Sequence, residues 1–266
     1  MGRKYNMAKS FFDTTVCQKL KNGGKVSAAW DQMNSNISAE ILAEAGFDVL
    51  VIDMEHAHTT LPNVISMIQA TKGTECVPFI RVPWNDIVWC KQALDTGAYG
   101  IHVPYVQTKE EAEAAVSYCK YPMKGVRGIA MGHRAVNYGM EKPNYFPRAN
   151  DEVLVIVAIE TPKGIENIHE IVNVEGVDGI FIGPADLATS MGHLADPSHP
   201  EVQAAIRKIE EAVIPTGKFL GTVAANAEAA QKLYDRGYGI VYMLSDVGAL
   251  VKAAQAEVKK FKELNG

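Results

Sequence analysis

Residues 153–187 hold two short runs, VLVIVAIE and VDGIFIGPADL, that are dense in Val and Ile and then break into polar residues. Neither run alternates apolar with polar, as a strand wetted on one face would. Uninterrupted β-branched residues instead call for strands covered on both sides, the condition of a parallel sheet. Between them, residues 163–172 have helical spacing, with Pro162 where a first helical turn accepts it. The unit is therefore strand–helix–strand, with Glu160 closing the first strand and Asp186 just past the second. In a parallel barrel those strand ends form the mouth that holds the chemistry. Two carboxylates there, with few basic neighbours in sequence, suit a hard divalent cation.

The same rhythm runs along the chain. Strand candidates at 26–30, 47–53, 76–82, 99–104, 153–160, 178–183, 219–224 and 238–244 alternate with helical segments. The first of these helices is expected over 38–45, with Ser38 as cap and Gly46 as stop. Eight strand–helix units are the pattern of a single (β/α)8 TIM barrel over residues 26–266. A shorter open sheet is the alternative, but no dinucleotide glycine fingerprint follows any strand. Residues 1–25 read as a lead-in without an apolar signal core.

A length of 266 residues suits one such barrel, and 47% hydrophobic with 21% charged residues is enough to bury a large core. The net charge of −5 predicts neither a nucleic-acid nor a membrane partner, and no apolar run is long enough to cross a bilayer. Cys17, Cys76, Cys90 and Cys119 are scattered without paired spacing. They read as reduced, packed thiols of a cytoplasmic protein.

Residues 121–152 break the rhythm. A connection this long inside a compact domain is usually functional or mobile. It carries Arg127, His133, Arg134 and Arg148, which supply either cations for an anionic substrate or an oligomer contact or surface lid. Charge also gathers at strand ends: Asp53, Glu55 and His56 after the second strand, Arg81 after the third, and His102 in the fourth. Singly each has an ordinary explanation, and Glu55 reads as a helix cap or a lysine partner. Glu160, Asp186, Arg81 and His56 together predict a polar pocket at one end of the barrel, because buried charge is costly unless paired or ligand-bound. Gly183-Pro184-Ala185-Asp186-Leu187 reads as a turn whose backbone N–H groups face a small carboxylate beside the cation.

FDVLVIDMEH, PFIRVPWND, GVRGIA, IETPKGIENI and VEGVDGIFIGPADLATSMGH resemble the metal-dependent pyruvate aldolases related to 2-keto-3-deoxyglucarate aldolase and 4-hydroxy-2-oxoheptanedioate aldolase, within the citrate lyase-like superfamily. The resemblance covers residues 26–261. It implies a (β/α)8 barrel with an exchanged C-terminal helix, assembled as a hexamer (a dimer of trimers). The implied reaction is reversible cleavage of a 4-hydroxy-2-oxo acid to pyruvate, or a related 2-oxo acid, and an aldehyde. Glu160 and Asp186 look like the ligands of Mg2+ or Mn2+, with Co2+ also compatible. Arg81 resembles the arginine on the keto oxygen, and His56 the acid/base. Asp95 matches an aspartate that supports that histidine, across a subunit boundary in the family, and Asp53 matches an aspartate near the base. The backbone of Gly183, Pro184, Ala185 and Asp186 corresponds to the carboxylate site. Ala158 departs from the pattern, since several members carry glutamine there, and Asn34-Ser35-Asn36 replaces a small-residue-and-proline turn.

Two further readings stay open at this point. One is a lyase or decarboxylase acting on a citrate-like, CoA-linked or oxaloacetate substrate through the same enolate. Another is a barrel that binds a carboxylate with weakened catalysis. Schiff-base chemistry is not expected, because it needs a lysine inside the barrel at a strand end. Lys25, Lys163 and Lys218 all lie outside strand interiors.

Overall fold

The computed structural model describes residues 11–265. Eight parallel strands close into a barrel in sequence order, the last pairing with the first. They are β1 (Val26–Asp31), β2 (Val49–Asp53), β3 (Val77–Arg81), β4 (Gly100–Val103), β5 (Leu154–Ile159), β6 (Gly179–Ile182), β7 (Phe219–Val223) and β8 (Ile240–Ser245). Helices cross between successive strands, so the expected (β/α)8 TIM barrel is the observed architecture.

Strand side chains alternate between faces, and here both faces are buried. Inward residues such as Val49, Val51, Phe79, Ile156 and Phe181 form the barrel interior. Outward residues such as Leu50, Ile52, Ile80, Ile101 and Val155 join the apolar sides of the surrounding helices. This double burial is why the runs show no alternation in sequence. The Phe79 and Phe219 rings take up space that glycines on the neighbouring strands leave free. A Cβ on Gly179 would lie 2.1 Å from the Phe219 ring, and one on Gly100 would lie 3.0 Å from Phe79.

Local boundaries differ from the sequence reading in informative ways. The helix after β1 spans Asn36–Glu44, and its cap is Ser35, whose side chain accepts from the Ser38 N–H. Gly46 does end it, at φ +99°. Residues 163–172 form two short helices, Pro162–Glu166 and Ile168–Val172. Of the lead-in, residues 1–10 lie outside the described residues. Further on, the helix Thr15–Lys21 presses Val16, Cys17 and Leu20 against the interior cluster, at the end where the strands begin.

The 121–152 connection contains a 3-10 turn, Arg134–Gly139, and a helix, Lys142–Glu152. Its arginines are occupied. Arg127 is buried and donates to Asp95 Oδ1 at 2.7 Å and Tyr145 Oη at 3.1 Å. Arg134 donates to the Thr96 carbonyl at 2.8 Å, and Arg148 to Glu152 Oε1 at 2.7 Å. They tie the connection to the end of helix Ile87–Asp95 and to its own helix, so of the two readings the one that made them cations for an anionic substrate loses its free charges.

The last helix, Asp246–Asn265, is anchored at its start. Asp246 is its one buried residue, and its carboxylate accepts from Gln32 N at 2.9 Å, Met33 N at 3.0 Å and Ser38 Oγ at 2.8 Å. Asp31 is fully buried beside it, with neither oxygen in a well-formed hydrogen bond. Burial first, and then the Asp246 carboxylate, push the Asp31 pKa from 3.8 up to about 8, against the Asn34 and Ser35 backbone N–H groups. Because this folded value lies above the unfolded one, the contribution to stability is fully present below pH 3.8 and is lost as pH rises toward 8. Asp31→Asn should therefore melt higher than the parent at pH 8, with the difference shrinking toward pH 4, as thermal unfolding at both pH values would read.

Candidate active site

The period-two alternation sets the site. Inward positions run Val49, Val51, Asp53 on β2 and Val77, Phe79, Arg81 on β3. On β5 they run Leu154, Ile156, Ala158 and then Glu160, one residue past the strand, and on β6 Gly179, Phe181 and then Gly183. On β2, β3 and β5 the column is apolar until its last member, Asp53, Arg81 or Glu160, so the charged groups collect at the C-terminal mouth. There they border a cavity of about 890 Å3 that Arg81, Glu160, Asp186 and Gln32 help to line.

Asp53 and Arg81 are direct partners across the β2–β3 register. Asp53 is fully buried, and Arg81 donates to it through Nε at 2.9 Å and Nη2 at 2.6 Å. Asp53 also accepts from Gln32 Nε2 at 2.9 Å and from the backbone N–H groups of Glu55 at 3.0 Å and His56 at 3.2 Å. Burial works against the Asp53 charge, but the Arg81 hydrogen bonds and charge hold its pKa below the usual carboxylate value. Asp53 thus acts as a clamp that orients Arg81 and the turn carrying His56. The Arg81 guanidinium lies 4.1 Å from the Trp30 ring, and its Nη1 reaches Glu55 Oε2 at 3.2 Å.

Glu55 belongs to the site, not to a cap or a lysine as the sequence suggested. It links Arg81 to His56, whose Nε2 is 3.6 Å away and whose side chain is 57% exposed at the mouth. Burial raises the Glu55 pKa; Arg81 and His56 oppose this. The signal for it was adjacency: it follows two residues after an inward strand-end aspartate.

Glu160 is buried and accepts from the Tyr105 backbone N–H at 3.1 Å. Gly183 is the residue that admits it, because a Cβ there would lie 2.3 Å from Glu160 Oε1. The segment read as a GPADL turn begins at once as helix Pro184–Ser190, with Gly183 as cap and Asp186 in its first turn. Burial first, then the charges of Asp186 and Glu55, push Glu160 up to about 7. Several carboxylates crowd around one guanidinium, an excess of negative charge that a divalent cation would relieve. The all-oxygen donor set of Glu160 and Asp186 fits a hard ion, with water completing the shell.

Asp95 is placed elsewhere in the chain. It ends the helix after β3, which runs back toward the strand starts, and it pairs with Arg127 at 2.7 Å and His133 at 3.7 Å. Lysines give no Schiff-base candidate among those weighed: Lys218 donates to the Val174 and Val177 carbonyls, Lys25 pairs with Asp235, and Lys163 lies in helix Pro162–Glu166. Ala158 is interior, and the rings of His102 and Phe181 from the two flanking strands come within 4.5 Å centroid to centroid. His102 is fully buried, and burial, with Arg81 adding, drives its pKa down to about 3, so it is neutral. Sequence reading left this histidine without a role.

The HpcH/HpaI aldolase/citrate lyase family model matches residues 27–253. The chain belongs to this family. It is 41% identical over 234 residues to the 5-keto-4-deoxy-D-glucarate aldolase of Escherichia coli (strain K12 / DH10B), covering 88% of this chain and 91% of the relative. An HpcH/HpaI aldolase/citrate lyase family protein from Burkholderia cenocepacia J2315 superposes with a TM-score of 0.89 at 33% identity, covering 94% of this chain and all of that one. The HpcH/HpaI aldolase from Desulfitobacterium hafniense DCB-2 gives 0.85 at 30% identity, covering 92% and 96%.

Since only glycine leaves room for the Glu160 carboxylate, Gly183→Ala should displace it while sparing the barrel. The expected outcome is weakened divalent-cation binding by calorimetry with an unchanged far-UV circular dichroism spectrum; unchanged cation affinity would remove Glu160 from the ligand set.

Proposed function

We propose that this protein is a divalent-metal-dependent aldolase that reversibly cleaves a 4-hydroxy-2-oxo acid into pyruvate, or a related 2-oxo acid, and an aldehyde. The observation that carries this reading is the Glu160–Asp186 carboxylate pair beside the Arg81 guanidinium at the mouth of the barrel. Relatives named 5-keto-4-deoxy-D-glucarate aldolase point to substrates of the sugar-acid type.

Glu160 and Asp186 would hold Mg2+ or Mn2+, which when bound supplies Lewis-acid polarisation of the 2-oxo carbonyl. Arg81, immobilised by Asp53, Glu55 and Trp30, offers its remaining N–H donors to the oxygen on which negative charge develops as the carbon–carbon bond breaks. Donors fixed before the reaction stabilise that charge without reorganising. The Gly183–Asp186 backbone, at a helix start, receives the substrate carboxylate. His56 takes the proton of the 4-hydroxyl during cleavage and returns it during condensation. Asp95 supports His56 from a neighbouring copy, since within one protomer it faces Arg127 and His133.

That arrangement requires an oligomer, which we propose is a hexamer with the C-terminal helix exchanged. Leu250, Phe261 and Leu264 on helix Asp246–Asn265 are 60%, 66% and 75% exposed, an apolar face that exchange would cover. Four buried free cysteines favour a cytoplasmic setting, and among the described residues no helix is long and apolar enough to cross a membrane. A second reading, a reaction on a citrate-like substrate, is favoured by similarity to a citrate synthase, SbnG, at 26% identity over 95% of this chain with a TM-score of 0.85. Turnover of an aldehyde panel against acyl-CoA esters separates the two.

The deciding experiment is exchange of pyruvate methyl protons in deuterated water. Exchange should need Mg2+ or Mn2+ and stop on chelation, and a carboxylate-binding barrel without catalysis would show none. His56→Ala should retain divalent-cation binding and lower aldol turnover by about 100- to 10,000-fold, the usual contribution of a positioned acid/base. Near-normal turnover in that variant would assign the proton transfer to another group.

A further inference from the structure

The loop joining helix Pro184–Ser190 to helix Pro200–Val213 and the first turn of the latter gather His193, His199 and Glu201 so that one candidate ligand atom from each lies within 4.8 Å of the others. The convergence comes from linked reverse turns. His193 N–H donates to the Ala188 carbonyl at 2.9 Å, Asp196 N–H to the His193 carbonyl at 3.0 Å, and His199 N–H to the Asp196 carbonyl at 3.3 Å. The last two turns each advance three residues, bringing both imidazoles to one side. Their ring centroids are 3.5 Å apart and the planes are within 17° of parallel. His193 Nε2 is 2.9 Å from Glu201 Oε2. His199 Nδ1 accepts only a long, 3.3 Å bond from the Glu201 N–H. Asp196 stands outside the set, its Oδ1 accepting from the Ser198 N–H and hydroxyl.

We propose that His193, His199 and Glu201 form a second metal site, separate from Glu160 and Asp186, that takes a borderline transition-metal ion such as Zn2+. Two imidazoles and one carboxylate are the donor set of three-ligand zinc sites with an open position. Imidazole nitrogen selects Zn2+ over Mg2+, whereas the all-oxygen pair at the barrel mouth has the opposite preference. Bonds of about 2.0–2.2 Å set tetrahedral ligand atoms roughly 3.4 Å apart, so the two stacked imidazoles must splay to aim at one ion and the Glu201 carboxylate must shift from its 2.9 Å contact with His193. Glu201, with a side chain 70% exposed, is free to make that adjustment. Pro197 sits between the two histidines and lines the same cavity as Glu160 and Asp186, so an ion at the loop would fix part of the cavity wall. The inference does not depend on which reaction the barrel catalyses.

The test uses the untagged full chain carrying Glu160→Gln and Asp186→Asn, which removes the hard-ion pair, dialysed against Zn2+ in an excess of Mg2+. One Zn2+ per chain is expected, and none once His193→Ala is added, a change that leaves the His199 helix cap in place. Co2+ in place of Zn2+ should give the visible absorption of a nitrogen-ligated ion, again lost with His193→Ala. No bound Zn2+ in the first protein, or equal Zn2+ with and without His193, would reduce the cluster to a surface histidine–glutamate pair and overturn the proposal.

Discussion

The site depends on one buried ion pair, Asp53 with Arg81. Two parallel, charge-assisted hydrogen bonds fix the guanidinium plane, and Trp30 covers one face of it. Removing one partner of such a pair strands a charge in the barrel, at a cost of about 3–5 kcal/mol. Asp53 spends its remaining acceptor capacity on Gln32 and on the backbone of Glu55 and His56. A single carboxylate thereby sets the arginine, the first residues after β1 and the turn with the exposed histidine. Both the guanidinium and the histidine turn are held by contacts within the chain itself.

Around that clamp the charge is unbalanced. Glu55, Glu160 and Asp186 outnumber Arg81, and the result is visible in Glu160, driven up to about 7 by burial and by its acidic neighbours. A fold tolerates such crowding where a cation shares the site. Gly183 points the same way, because the carboxylate occupies the space a side chain would need. Family membership and internal chemistry therefore converge from independent directions, one from the order of motifs and the other from electrostatics.

The architecture was legible because double burial leaves a simple trace: apolar β-branched runs with charge at their ends. Glu160, Asp186, Arg81 and His56 were readable as strand-end residues by the same logic. Other features depended on register. Asp53 and Arg81 are 28 positions apart in the chain and meet only because β2 and β3 align them. Glu55 could not be told from a surface acid until its neighbours across the sheet were known. The arginines of the 121–152 connection resembled substrate contacts, yet Asp95, Thr96 and Glu152 engage them.

By itself the sequence determined that the chain forms a (β/α)8 barrel with acid and arginine at its mouth, since hydrophobic periodicity and strand ends are local properties. Tertiary structure alone decided which charges pair, that Asp95 meets Arg127 and His133, and that Asp31 lies buried against Asp246. Those outcomes depend on strand register and helix direction, which bring distant residues into contact and exclude water from between them.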